Sequence, residues 1–292
     1  MKESRIHFIV NPISGKGQGL EVKNRIKELF ADYDIEIKLT RKKNDGFKLA
    51  LESIEAGADI IVSCGGDGTL NEVASALVNK QVILAIVPIG SGNGLARHLK
   101  IPLTYDVALQ FIKNSQKNIK KIDCGKINQQ YFFSNAGIGF DAETVKIYAH
   151  QKQRQLIGYV KSLLISVFKF KPIDLSVLSK SKKFTGKAMM LNISNSNCLG
   201  YGFSISPDAS LQDGQFDINL ITQCSWITFC LIGLQFLLNT NIGSKKNIFF
   251  KTNQLDIQLD TDYLQIDGEF TPIHARNLSI TLEPKALKVL VG

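Results

Sequence analysis

The chain has 292 residues, 44% of them hydrophobic and 21% charged, with a formal net charge of +9. This is an ordinary globular composition, long enough for a sizeable core and favouring two domains. The positive charge suits anionic partners such as nucleic acid, nucleotides or acidic membranes without choosing among them. The five cysteines, Cys64, Cys124, Cys198, Cys224 and Cys230, are odd in number and lack a C-x-x-C pair, which argues against a disulfide framework and against zinc.

Met1 to Arg5 lead into a short apolar run, Ile6 to Val10, too brief for the core of a signal peptide, so a cytoplasmic location is expected. Strand-like runs then fall at Ile6 to Val10, Ile35 to Leu39, Ile60 to Cys64 and Val82 to Val87. Helical patterns alternate with them at Leu20 to Phe30, Gly46 to Ile54, Leu70 to Val78 and Tyr105 to Lys113. Such alternation predicts a Rossmann-like parallel sheet covered by helices, over residues 1–125, with 283–292 free to return to it.

After Asp123 the chain reads mostly as strands, at Gln130 to Asn135, Ile173 to Leu178, Ala188 to Ser194, Phe216 to Ile221, Ile248 to Lys251 and Leu255 to Leu259. A second, largely antiparallel β domain over 126–282 is expected, its strands in a β-sandwich. Two helices are expected within Asp141 to Phe170. The uncharged run Trp226 to Leu238 falls short of the roughly 20 residues of a spanning helix. It reads as a buried helix or one laid in a membrane surface, with burial the expectation.

Three glycine-rich loops follow three of the parallel strands, where ligands of such sheets bind. Gly65-Gly66-Asp67-Gly68-Thr69 sits between a strand and a helix, offering backbone N–H groups to phosphate. Thr69 and Glu72 have the spacing of a capping box. Asp67 beside phosphates implies a divalent cation between them; a plain strand-to-helix turn is the alternative. Asn11-Pro12-Ile13-Ser14-Gly15-Lys16-Gly17 puts a lysine among glycines before a helix, and Pro88-Ile89-Gly90-Ser91-Gly92-Asn93-Gly94 allows close backbone approach. Each alone reads equally as a surface turn; together, around one acidic residue, they point to Mg-nucleotide binding.

Asn11-Pro12-x-Ser14-Gly15, Gly65 to Glu72 and Pro88-x-Gly90-Ser91-Gly92-Asn93, in this order, resemble the diacylglycerol kinase catalytic-domain family, which includes sphingosine and ceramide kinases and small bacterial lipid kinases. Asn135-Ala136-Gly137-Ile138-Gly139-Phe140-Asp141, Asp213-Gly214 and Asp267-Gly268-Glu269 continue the likeness over nearly the whole chain. The resemblance implies a two-domain, ATP- and Mg²⁺-dependent enzyme that phosphorylates a lipid hydroxyl, with the nucleotide in the cleft between domains. It implies that Asn11, Thr40, Gly66, Asp67, Gly68, Thr69, Asn71, Glu72 and Ser91 hold the nucleotide; Gly65, Gly92 and Asn93, in the same loops, are expected to join them. It further implies that Glu269 accepts the proton and that Asp213 binds a structural magnesium with the carbonyls of Ser210 and Gln215.

The residue chemistry is compatible with those roles. A lipid hydroxyl is a poor nucleophile that a positioned carboxylate, Glu269 or Asp267, activates by accepting its proton. Ser14 and Lys16 join the phosphate contacts, and Asp67 works through the metal. Asp-Gly at 213–214 and at 267–268 is also a hairpin-turn signal. NAD kinase, which shares the Asp67 loop, and a silent nucleotide- or lipid-binding module remain rival functions. His150 to Lys171 mixes basic and apolar residues, as in a core helix with a solvated face or a helix on an anionic membrane. A lipid presented at the inner membrane face is the expected partner. A homodimer stays open, and no nucleic-acid module is present.

Overall fold

The computed structural model describes residues 4–114, 118–151, 156–198, 204–238 and 245–292. They form two compact units, Met1–Cys124 with Pro284–Gly292, and Gly125–Glu283.

The first unit comprises β1 (Ile6–Val10), α1 (Ser14–Gly17), α2 (Gly19–Leu29), β2 (Ile35–Leu39), α3 (Asp45–Glu55), β3 (Ile60–Gly65), α4 (Asp67–Leu77), β4 (Ile83–Pro88), α5 (Gly94–His98) and α6 (Tyr105–Asn114). The strands are parallel in the order β2-β1-β3-β4, with Ile6 opposite both Ile35 and Ile60, and Ile60 opposite Ile83. Every residue of β1 and β3 is buried, as continuous apolar runs covered on both faces must be. Val22 and Ile26 of α2 and Leu109 and Ile112 of α6 close one core with Phe8, Val62 and Val87.

In chain order there follow β5 (Ile119–Ile127), β6 (Gln130–Phe132), β7 (Asn135–Gly139), α7 (Phe140–Ala149), α8 (Leu156–Lys169), β8 (Ile173–Ser179), β9 (Lys183–Ser194), β10 (Phe216–Thr222), α9 (Trp226–Leu237), β11 (Asn247–Thr252), β12 (Gln254–Leu259), β13 (Tyr263–Ile266), β14 (Glu269–Pro272) and β15 (Asn277–Leu290). Within the second unit pairing is antiparallel. The long β9 holds β8 with its first half and β7 with its second, while β10 runs along its other edge. Phe132 stacks on Phe216, ring centroids 5.3 Å apart, inside an aliphatic core. β12 alternates exposed and buried residues, the mark of a sheet with one face in water.

The terminal strand was open to pairing with either sheet. Asn277 to Thr281 of β15 pair with β12, whereas Val289 lies opposite Leu84 of β4. α9 departs from expectation. Phe229 and Ile232 are buried, but Ile227, Leu231, Leu234 and Leu238 face outward.

Candidate functional site

In the first unit the three glycine loops touch. A Cβ on Gly90 would lie 2.5 Å from the Gly66 Cα, and one on Gly15 would lie 2.6 Å from the Ile89 side chain. Only glycine permits either approach; at Gly15 the backbone also has φ +60°. Asp67 fastens two of the loops: its Oδ2 accepts the Asn93 N–H at 2.8 Å and its Oδ1 the Gly94 N–H at 2.9 Å, at the start of α5. Asn11 fastens the third, donating from Nδ2 to Thr69 Oγ1 at 3.0 Å. Thr40 ends β2 beside it, its N–H on the Val10 carbonyl. Gly66, extended, caps α4, whose first N–H groups, those of Asp67, Gly68 and Thr69, have no partner within the helix.

Some expectations change. α4 begins at Asp67, capped by Gly66, and not at Leu70 behind a Thr69 cap, so Thr69 and Glu72 do not form a capping box. Glu72 instead accepts the N–H groups of Asn44 at 2.8 Å and Gly46 at 2.9 Å, capping α3. Asn44 is left-handed with no side-chain cap of its own, so the neighbouring helix supplies the acceptor. Ser14, Asn71 and Gly92 lie on or beside these loops, and Ser91 is exposed on the third. The side chain of Lys16, in α1, lies outside the described residues, as do Lys152 and Arg154 ahead of α8.

In the second unit, Asp267-Gly268 forms the two-residue turn between β13 and β14, with φ +48° and +80°. This is the hairpin that the dipeptide signals. The Asp267 carboxylate accepts the N–H groups of Phe133 at 3.0 Å, Ser134 at 2.7 Å and Asn135 at 3.2 Å. The carboxylate expected as a candidate proton acceptor thus also anchors the turn to the backbone of the β6–β7 connection. Gln265 anchors the other side: Oε1 accepts the Gly268 N–H at 2.8 Å, while Nε2 donates to Asn135 at 2.6 Å and Asp141 at 2.9 Å. Glu269, next in the chain, opens β14 exposed on a turn held from both sides.

Nothing local in the sequence flags Gln265 as the hub, since its side-chain partners Asn135 and Asp141 lie more than 120 residues away. Asp141 is buried against Gly137, whose backbone leaves no room for a Cβ. Burial pushes its carboxyl up to about 6, against the opposing pull of the Gln265 hydrogen bond. A folded-state value above the ordinary 3.8 makes ionisation costly: stability present below pH 4 is lost as pH rises through about 6. Asp141→Asn is thus expected to be more stable than the native chain at pH 8, by about 1–3 kcal/mol, with the difference vanishing near pH 4. Urea unfolding of both proteins at the two pH values checks this.

Asp213 accepts the Gln215 N–H at 3.1 Å with Oδ1, an Asx turn leading into β10. Its Oδ2 lies 3.1 Å from the Lys251 ammonium, which is also 3.0 Å from Oδ1 of the buried Asp217. Strand register dictates this meeting, because Lys251 of β11 stands directly opposite Asp217 of β10. Burial opposes the Lys251 charge, but the two carboxylates outweigh it and hold its pKa above the ordinary value. The carboxylate expected to bind a structural magnesium with the carbonyls of Ser210 and Gln215 is thus also paired with an internal cation. Among the described residues no cluster of three His, Cys, Asp or Glu side chains offers another metal site.

Lys251→Met is accordingly expected to cost about 2–3 kcal/mol in urea unfolding. That is below the roughly 3–5 kcal/mol of a fully buried pair, because the ammonium is 33% exposed and partly screened.

Parallel strands ending in glycine loops before helices, joined in sequence to an antiparallel unit, define a two-domain nucleotide-dependent kinase fold. Residues 5–127 match the diacylglycerol kinase catalytic domain model, and residues 134–291 match the YegS C-terminal NAD kinase beta sandwich-like domain model. The chain belongs to the diacylglycerol kinase catalytic-domain family and is a kinase, and membership implies the use of ATP. A diacylglycerol kinase of Bacillus subtilis strain 168 is 28% identical, over 92% of this chain and 90% of the relative. A solved diacylglycerol kinase structure from Bacillus anthracis strain Sterne shares the fold, with TM-score 0.81 and 23% identity over 100% of this chain and 98% of its own. An NAD kinase from Archaeoglobus fulgidus in complex with ATP is more distant, at TM-score 0.53 and 12% identity over 98% and 93% of the two chains.

Proposed function

We propose that the chain transfers the γ-phosphoryl group of ATP to the hydroxyl of a membrane lipid, diacylglycerol first among candidates, giving phosphatidic acid. The observation that carries the nucleotide half is the Asp67 clasp, which holds two touching glycine loops together at the N-terminus of α4. Phosphoryl transfer needs chiefly such positioning and charge neutralisation. Asn11, Ser14, Thr40, Gly65 to Thr69, Asn71, and Ser91 to Asn93 take part in binding the nucleotide, and Glu72 serves by holding α3.

Magnesium carried with the triphosphate would offset its charge, with Asp67 at the start of α4 as the carboxylate nearest the loops. The lipid oxygen attacks the γ-phosphorus, the bond to the β–γ bridging oxygen breaks, ADP leaves, and the hydroxyl proton passes to the Glu269 carboxylate. Relatives named diacylglycerol kinase support the acceptor class. The Ser91-Gly92-Asn93 form of the third loop keeps sphingoid lipids in the test. No helix among the described residues is long and apolar enough to cross a membrane. The lipid is met at the inner membrane face, and α8 shows Ile157 and Leu164 exposed beside Lys161.

Transfer of labelled γ-phosphate from Mg-ATP into micelles presenting diacylglycerol, sphingosine, ceramide or monoacylglycerol separately tests this function. Label in one lipid supports it. Label only in NAD, offered in parallel, would make the chain an NAD kinase, and bound ATP with no transfer to any acceptor would make it a binding module.

A further inference from the structure

A kinase that takes its acceptor from a bilayer needs a face that meets lipid, and α9 has the chemistry of one. The helix has no charged residue from Trp226 to Leu237 and starts at Ser225, whose hydroxyl accepts the Thr228 N–H. One side is anchored: Phe229 and Ile232 are buried with Phe140, Phe170, Met189 and Met190. The other side is apolar as well but uncovered, with Ile227 76% exposed, Leu231 55%, Leu234 49% and Leu238 64%. At 3.6 residues per turn these positions, with the exposed Cys230 between them, fall within an arc of about 100°. A surface helix ordinarily turns polar residues outward, and contiguous exposed apolar patches mark interaction sites.

Charge identifies what covers it. The Lys187 carbonyl accepts the Gln223 N–H at 2.8 Å and the Lys246 carbonyl accepts the Thr222 N–H at 2.9 Å, so both lysines flank the residues entering α9. Lys187, Lys245 and Lys246 are exposed, and neither end of the helix carries an acidic residue. An uncharged apolar stripe with lysines at one end matches an anionic phospholipid surface, acyl chains against the stripe and headgroups against the ammonium groups.

We propose that the Ile227, Leu231, Leu234 and Leu238 face of α9 inserts into the outer layer of an anionic bilayer, with Lys187, Lys245 and Lys246 on the headgroups. The docking role rests on the lipid-kinase function but is tested apart from it.

The full chain is sedimented with vesicles of phosphatidylcholine alone or mixed with phosphatidylglycerol. Leu231→Asp with Leu234→Asp should lower partitioning to the mixed vesicles at least tenfold, with an unchanged melting temperature because both side chains are exposed. The triple variant K187Q, K245Q and K246Q should lose the preference for phosphatidylglycerol. Turnover of a water-soluble short-chain diacylglycerol should persist in the aspartate variant while turnover of vesicle-borne lipid falls. Unchanged partitioning of that variant overturns the proposal, as does conversion of a native dimer to monomer with vesicle binding intact, which would assign the face to self-association. Vesicle binding that depends on α9 while no lipid is phosphorylated leaves the docking face standing and removes the lipid-kinase function.

Discussion

Asp67→Ala is expected to lower kcat/KM for phosphoryl transfer by about 10²–10³-fold while the chain stays folded. The carboxylate lies at the first residue of α4, outside both aliphatic cores. Its loss leaves the Asn93 and Gly94 N–H groups without the charged acceptor that orients them. Hydrogen bonds to a charged group contribute roughly 1.5–3 kcal/mol each, so the loop leading into α5 would drift from the loop leading into α4. A displacement near 1 Å among groups that position a phosphate costs about 10²-fold. Asp67→Asn, which turns one acceptor into a donor facing an N–H, should behave nearer to alanine than to the native residue. Steady-state kinetics over an ATP titration, with urea unfolding alongside, provide the check. A folded alanine variant with native kinetics would remove Asp67 from the mechanism.

Glu269→Gln should produce a different signature. Glutamine keeps the shape of the side chain and makes a poor proton acceptor, so kcat is expected to fall by about 10²–10⁴-fold. ATP affinity should stay within about twofold of native, because Glu269 belongs to the β13–β14 turn of the second unit and not to the glycine loops of the first. The turn itself should be undisturbed, since Asp267 and Gln265 hold it through backbone N–H groups that the substitution does not touch. Single-turnover transfer and equilibrium nucleotide binding separate the two effects. A variant impaired only in nucleotide affinity would show that Glu269 is not the proton acceptor.

Much of this protein was legible along the chain because its determinants are local. Continuous apolar runs announce β1 and β3, since strands buried on both faces need no polar alternation. Amphipathic periodicity announces α2, α3 and α6 within a residue or two. Asp267-Gly268 announces its own turn, because two successive residues with positive φ need that kind of pair. The family, the two-part fold and the kinase chemistry followed from motif order, since each glycine loop takes its place from the strand just before it.

What tertiary structure alone decided involves partners far apart in sequence. Glu72 has the spacing to cap its own helix, yet it caps α3, whose N-terminus brings two donors within reach. Asp213 reads as a metal ligand, and only the pairing of β10 with β11 shows that Lys251 stands beside it. Asp267 reads as a candidate base, and only the fold shows that three N–H groups of a segment more than 130 residues earlier close on its carboxylate. The uncharged run at α9 reads as core, and only packing shows that one side has a core to meet and the other has none. Residue type and spacing determine which chemistry a side chain can perform and which element carries it. Which partner satisfies it depends on chain segments brought together by burial and strand register, and that information is spread over the whole fold.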